Sequence, residues 1–260
     1  ARGRDAVTRP TLDELRAVSQ PASTLARRSG EHWLARLWLR GVSLRITRVL
    51  IRTPVTANQL TGLMIVIGLL GAVAAGLPGL GWALVAAALI VAYFVLDLCD
   101  GEVARWRGAT SVTGVYLDRV GHYVVEAALL AGYGFRAGGQ EVGGWTTLGL
   151  LGALLVVLVK AETDLVDVAR ARAGLPVAAD GQAELRSTRL AHARRLASVL
   201  RLHQVTGALE SVALLVLAAA IDFGRGDLVF TRTLLVVLVA VAGTMVVVHL
   251  TSVLLSRRLL

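Results

Sequence analysis

The sequence predicts an all-α integral membrane protein: six transmembrane helices preceded by an interfacial amphipathic helix. Three observations carry that prediction. The mean hydropathy of +0.67 and the 55% apolar content are out of place in a water-soluble globule. The longest stretch without a charged residue runs from Thr53 to Leu96, 44 positions, room for two crossings of about 20 residues each. Basic residues also divide unevenly: 23 of the 27 fall in 1–59, 97–113, 160–202 and 256–260. Only Arg136, Arg225 and Arg232 occupy the opposite loops, and Arg119 sits within the third crossing. The positive-inside rule then puts both termini in the cytosol, and the expected location is a bacterial cytoplasmic membrane.

Residues 1–30 are polar and Arg-dotted, lack a long apolar core, and read as a cytosolic lead-in rather than a cleavable signal peptide. The chain begins at Ala1 without an initiator methionine, as a truncated sequence would. Residues 31–52 set Trp33, Leu34, Leu37, Trp38, Leu44 and Val49 against Arg36, Arg40, Arg45, Arg48 and Arg52 at a roughly helical period. Such a helix lies in the membrane surface, rings and aliphatics in the acyl boundary and guanidiniums on phosphates. Residues 53–260 form one domain of six crossings, near Leu60–Leu77, Gly81–Leu96, Gly114–Phe135, Val142–Val159, Val205–Ile221 and Thr233–Leu255. Pro78-Gly79 turns the chain between the first two, and a longer polar connector, 162–202, precedes the fifth. A single cysteine, Cys99, excludes an internal disulfide. The net charge of +9 needs no nucleic-acid partner, because the topology accounts for it.

The charged cluster at the second and third crossings carries the chemistry. A carboxylate at membrane depth costs about 2.5 to 3.5 kcal/mol, so several together need partners or a metal. Asp97 and Asp100 are spaced i, i+3, and Asp118 and His122 i, i+4, so each pair shares one helical face. Gly101 and Ala104, one turn on, let a ligand approach the backbone. Three carboxylates and an imidazole around one gap form a divalent-ion site, hard cations taking oxygen ligands.

These residues read Asp97-Leu-Cys-Asp100-Gly101-Glu-Val-Ala104-Arg105, then eight residues, Gly114, three residues, Asp118, three residues, His122. The pattern resembles the signature of the CDP-alcohol phosphotransferase family, DxxDGxxAR followed by eight residues and GxxxDxxxD. Every fixed position matches except the last. The segment from Thr53 to Thr61, with Asn58, also looks like a family feature. The resemblance implies a membrane enzyme, usually a homodimer, with its site open to the cytosol. There, motif acids hold Mg²⁺ or Mn²⁺ against the pyrophosphate of a CDP-alcohol, an acceptor hydroxyl attacks the phosphorus bearing the alcohol, and CMP leaves. By that resemblance Asp97, Asp100 and Asp118 are metal ligands, and Gly101, Ala104, Arg105 and Gly114 shape the nucleotide pocket with Asn58 and Thr61 facing it.

His122 stands where the family has its fourth Asp. A neutral imidazole can still accept a proton from an attacking hydroxyl, while the lost negative charge and softer ligand favour Mn²⁺ or Zn²⁺ over Mg²⁺. Asp118, His122 and Glu126 form an i, i+4, i+8 stripe, in which Glu126 is expected to accept a hydrogen bond from the second imidazole nitrogen and fix its tautomer. A Glu126 bonded to a neighbouring helix is the alternative. Lys160 and the connector's Arg186, Arg189, Arg194, Arg195 and Arg201 are candidates for an acceptor phosphate or lipid headgroup, with snorkelling as the competing explanation. Glu210 is expected to face neighbouring helices. Two other functions compete with phospho-alcohol transfer: a catalytically silent relative that holds a CDP-linked ligand or metal, and a transporter relaying ions through Asp118, Glu126 and Glu210. The transporter gives no reason for Gly101, Ala104 and Arg105 at their spacing.

Overall fold

The computed structural model describes residues 10–21, 39–176 and 206–255. Among the described residues the secondary structure is entirely helical: α1 Leu12–Ser19, α2 Arg40–Leu50, α3 Ala57–Gly76, α4 Leu80–Arg107, α5 Val112–Ala137, α6 Gly144–Arg172, α7 Ala208–Arg225 and α8 Val229–Leu255. Each of the six expected crossings coincides with one of α3 to α8. Four, namely α3, α4, α6 and α8, are long and apolar enough to cross a membrane. α5 falls outside that group because it carries Asp118, Arg119, Glu126 and Arg136, and α7 because 18 residues include Glu210, Asp222 and Arg225.

Two helices are longer than their uncharged runs predicted. α4 continues past Leu96 through the whole acidic stretch to Arg107, and Gly108, at φ 62°, ends it in the left-handed region. α6 continues past Val159 to Arg172. Charge ends an apolar run without ending a helix, since Asp, Glu and Arg carry only modest penalties in a helix interior.

The chain divides into two compact units, residues 1–71 with 87–125, and residues 72–86 with 126–260. In the first, Leu15, Leu44, Leu60, Met64, Ile90, Tyr93, Cys99 and Val125 are buried. α1 opens with a reciprocal cap: the Thr11 hydroxyl accepts from Glu14 N, and Thr11 N donates to Glu14 Oε2 at 2.8 Å. These bonds hold the exposed Glu14 carboxyl below its usual range. α2 covers part of the expected amphipathic helix, whereas Trp33, Leu34, Leu37 and Trp38 lie outside the described residues. Its inward face is not purely apolar. Beside Leu44 it buries Ser43 and Thr47, whose hydroxyls both bind Glu102.

In the second unit α8 packs against α6 and α7 around Leu129, Leu130, Tyr133, Val156, Leu215, Leu235 and Leu238. α5 and α6 cross at two glycines: a Cβ on Gly134 would stand 2.8 Å from Gly149 Cα, so backbone meets backbone there. The buried Arg136 donates to Leu77 O at 2.6 Å and Gly79 O at 2.9 Å, closing the Pro78-Gly79 turn. Asp222 at the end of α7 accepts from Phe230 N and Thr231 N, both at 2.8 Å, and so caps α8.

Candidate active site

The motif residues stand on two helices of the first unit, because α4 carries Asp97 to Arg105 and α5 carries Gly114 to His122. His122 Nε2 lies 3.3 Å from Asp97 Oδ1 and 3.4 Å from Asp118 Oδ1. One ligand atom from each of the three falls within 4.8 Å of the others, which makes Asp97, Asp118 and His122 a group able to hold a metal ion. All three side chains are partly open, Asp118 most so at 37%. Two carboxylate oxygens and an imidazole nitrogen suit a divalent cation of borderline hardness.

Asp100, expected as a ligand, is 8% exposed and accepts a hydrogen bond from Thr61 Oγ1. Thr61, expected to face nucleotide, is itself buried and gives its hydroxyl to this acid. Asn58 and Ala104 line a cleft of about 330 Å³ together with Thr56, Val103 and Ser111. Gly114 borders it from α5, since a Cβ there would stand 3.0 Å from Asn58 Oδ1. Gly101 lies under the Arg105 guanidinium, a Cβ meeting Nη1 at 3.0 Å. Arg105 Nε in turn donates to Ser19 O at the end of α1, so this arginine ties the motif to the N-terminal helix.

The expected pairing of His122 with Glu126 is not what the structure shows. His122 Nδ1 is hydrogen-bonded to Tyr93 OH, and Glu126 Oε1 pairs with Lys160 Nζ at 3.1 Å. A buried carboxylate is held far better by an ammonium than by a neutral ring N–H. Lys160, read as an acceptor-binding cation, is thereby engaged by Glu126. Arg186, Arg189, Arg194, Arg195 and Arg201 lie outside the described residues.

Three side chains that tie these helices to their neighbours escaped the sequence reading. Tyr93 precedes Asp97 by four residues and so shares its helical face, a spacing that could have flagged it. Glu102, 1% exposed, accepts 2.7 Å hydrogen bonds from Gln20 Nε2, Ser43 Oγ and Thr47 Oγ1, clasping α1 and α2 to α4. Arg107 donates to Leu50 O, Thr53 O and Val55 O, satisfying the carbonyls after α2. Neither of these two has a local signal, because their partners lie about fifty or more residues away.

A metal-capable acid and imidazole group and the small motif residues thus stand together on α4 and α5. Residues 54–178 match the family model for CDP-alcohol phosphatidyltransferase. Two relatives are proteins named bifunctional IPC transferase and DIPP synthase. The one from Thermococcus kodakarensis is 28% identical over 151 residues, 57% of this chain and 33% of the relative. The one from Rubrobacter xylanophilus is 36% identical over 115 residues, 44% of this chain and 25% of the relative. The matches thus cover only about a third and a quarter of the curated relatives' lengths. Both names describe transferases or synthases, which does not favour the silent-relative reading.

Proposed function

We propose that the chain transfers a phospho-alcohol group from a CDP-alcohol to an acceptor hydroxyl, releasing CMP, in phospholipid or lipid-precursor synthesis. The observation that carries this reading is the convergence of Asp97, Asp118 and His122 within 4.8 Å inside the family-matched segment. Asp97, Asp118 and His122 would hold the cation, Mg²⁺ or Mn²⁺, with Asp100 kept close behind by Thr61. A divalent ion there supplies the charge neutralisation that a pyrophosphate ester needs in order to be attacked.

The chain's own residues do the rest. The cleft with Asn58 and Ala104 on its wall, bordered by Gly114, takes the cytidine end, small residues leaving space for the nucleotide. Both His122 nitrogens have partners, whereas Asp118 is the most open of the three, so Asp118 takes the proton of the attacking hydroxyl. The new O–P bond forms to the phosphorus bearing the alcohol. The bond from that phosphorus to the bridging oxygen breaks, and this oxygen leaves on CMP. The connector arginines 186, 189, 194 and 195 bind an anionic acceptor or headgroup.

α5 and α7 complete six crossings with α3, α4, α6 and α8, and α2 lies along the membrane surface. Exposed Leu63, Val66, Leu70 and Val73 on α3, and Leu150, Leu151, Leu154 and Leu158 on α6, give lipid-facing surface. The working form is a homodimer in a bacterial cytoplasmic membrane, with termini and site in the cytosol. The test is CMP release by reconstituted protein given Mg²⁺ or Mn²⁺ and a panel of CDP-alcohols, with and without hydroxyl acceptors. Metal-dependent release that Asp97→Ala abolishes supports the reading; CDP-alcohol binding with no CMP under either metal overturns it.

A further inference from the structure

We infer that Tyr93 is a positioning residue that makes His122 Nε2 a nitrogen ligand, so that this site selects a borderline cation such as Mn²⁺ over Mg²⁺. The inference rests on the proposed phospho-alcohol transfer and concerns which ion serves it. Tyr93 is fully buried, and its hydroxyl meets His122 Nδ1 while its ring stands edge-on to the imidazole, centroids 5.7 Å apart and planes at 87°. The ring is seated by Gly68, where a Cβ would stand 2.8 Å from Tyr93 Cδ2. The imidazole is therefore fixed in rotation as well as in position. Its far nitrogen, Nε2, is the one aimed at Asp97 and Asp118.

A ligating histidine generally gives its second ring N–H to an acceptor, which sets the tautomer and raises ligand basicity. Here the group placed to be that acceptor is the Tyr93 hydroxyl oxygen. In the tautomer in which Nδ1–H donates to it, the one a metal ligand needs, the Nε2 lone pair faces the two carboxylates, and the site offers nitrogen together with oxygen. Imidazole contributes more to Mn²⁺ than to Mg²⁺, which prefers oxygen and retains its water. The Asp97 carboxylate and Tyr93 hydroxyl stand one turn apart on α4, so a single helix supplies both a ligand and the group that orients another.

The experiment loads the reconstituted full chain with Mn²⁺ alone and measures nitrogen coupling to the ion by pulsed electron paramagnetic resonance. Mn²⁺ and Mg²⁺ affinities follow from titration. Wild type is expected to show one imidazole nitrogen coupling, and His122→Asp to lose it while its preference for Mn²⁺ over Mg²⁺ drops about tenfold or more. Tyr93→Phe, which keeps the ring, is expected to weaken Mn²⁺ binding about tenfold and Mg²⁺ binding less. Bound Mn²⁺ without nitrogen coupling in wild type, or a Tyr93→Phe protein with unaltered affinity for both ions, overturns the inference. Those outcomes leave the transfer reaction standing. Nitrogen coupling with no CMP release from any CDP-alcohol refutes the transfer reading and not this one.

Discussion

Replacing Glu102 by alanine should loosen α1 and α2 from α4, and the structure sets the size of the effect. Glu102 accepts three hydrogen bonds of 2.7 Å, two at Oε1 from Gln20 and Ser43 and one at Oε2 from Thr47. Bonds to a charged group contribute about 1.5 kcal/mol each at the low end, so the clasp holds about 4.5 kcal/mol. Alanine lets part of the released donor set return to water, which leaves a loss of about 3 kcal/mol. The chain's single cysteine reports it directly, because Cys99 is buried with Sγ 3.7 Å from Ser43 O. Labelling through local opening scales with the opening constant, and 1.36 kcal/mol is a tenfold change. Maleimide labelling of Cys99 should therefore quicken about a hundredfold in Glu102→Ala. In Glu102→Gln the rise should stay below about tenfold, since the amide oxygen still accepts from Gln20 and Ser43. Equal labelling rates in wild type and Glu102→Ala would refute the clasp.

Gly149→Val should destabilise by several kcal/mol, because the added Cβ would meet Leu130 O at 2.6 Å and Gly134 Cα at 2.7 Å; thermal unfolding in detergent checks it, and an unchanged midpoint argues against the close crossing. Lys160→Met leaves the buried Glu126 carboxylate without its ammonium and should cost about 3 to 5 kcal/mol, with Lys160→Met/Glu126→Leu recovering most of it. The double-mutant cycle fails that account if the two losses simply add. Asp118→Asn should lower the rate of CMP release by about a hundredfold or more while leaving unfolding temperature nearly unchanged; a variant with wild-type turnover would remove Asp118 from the proton transfer.

Much of the site could be read from spacing. Asp97, Asp118 and His122 lie at intervals that put functional groups on helical faces, and the structure brings them together. Asp118 to Glu126 follows the same arithmetic, yet Glu126 pairs with Lys160. Periodicity names the residues that share a stripe, and the partner of a buried charge is chosen by whichever neighbouring helix brings an opposite charge. That choice is tertiary. The helices themselves were visible as uncharged runs, but their ends were not, since α4 and α6 continue through Asp97–Arg107 and Lys160–Arg172 with helix-compatible charged residues. Glu102 looked like a spacer between Gly101 and Ala104. Its role depends on Gln20, Ser43 and Thr47, which only folding brings near it.

Asp97, Glu102 and Arg107 follow one another at five-residue steps along α4. Each step advances about 7.5 Å and turns about 140°, so the three side chains leave one rod in three directions. The first meets the imidazole, the second locks the amino-terminal helices, and the third seals the backbone between α2 and α3. One continuous helix thus carries the acid that faces His122, the carboxylate that holds α1 and α2, and the guanidinium that binds the chain after α2, with no loop between them.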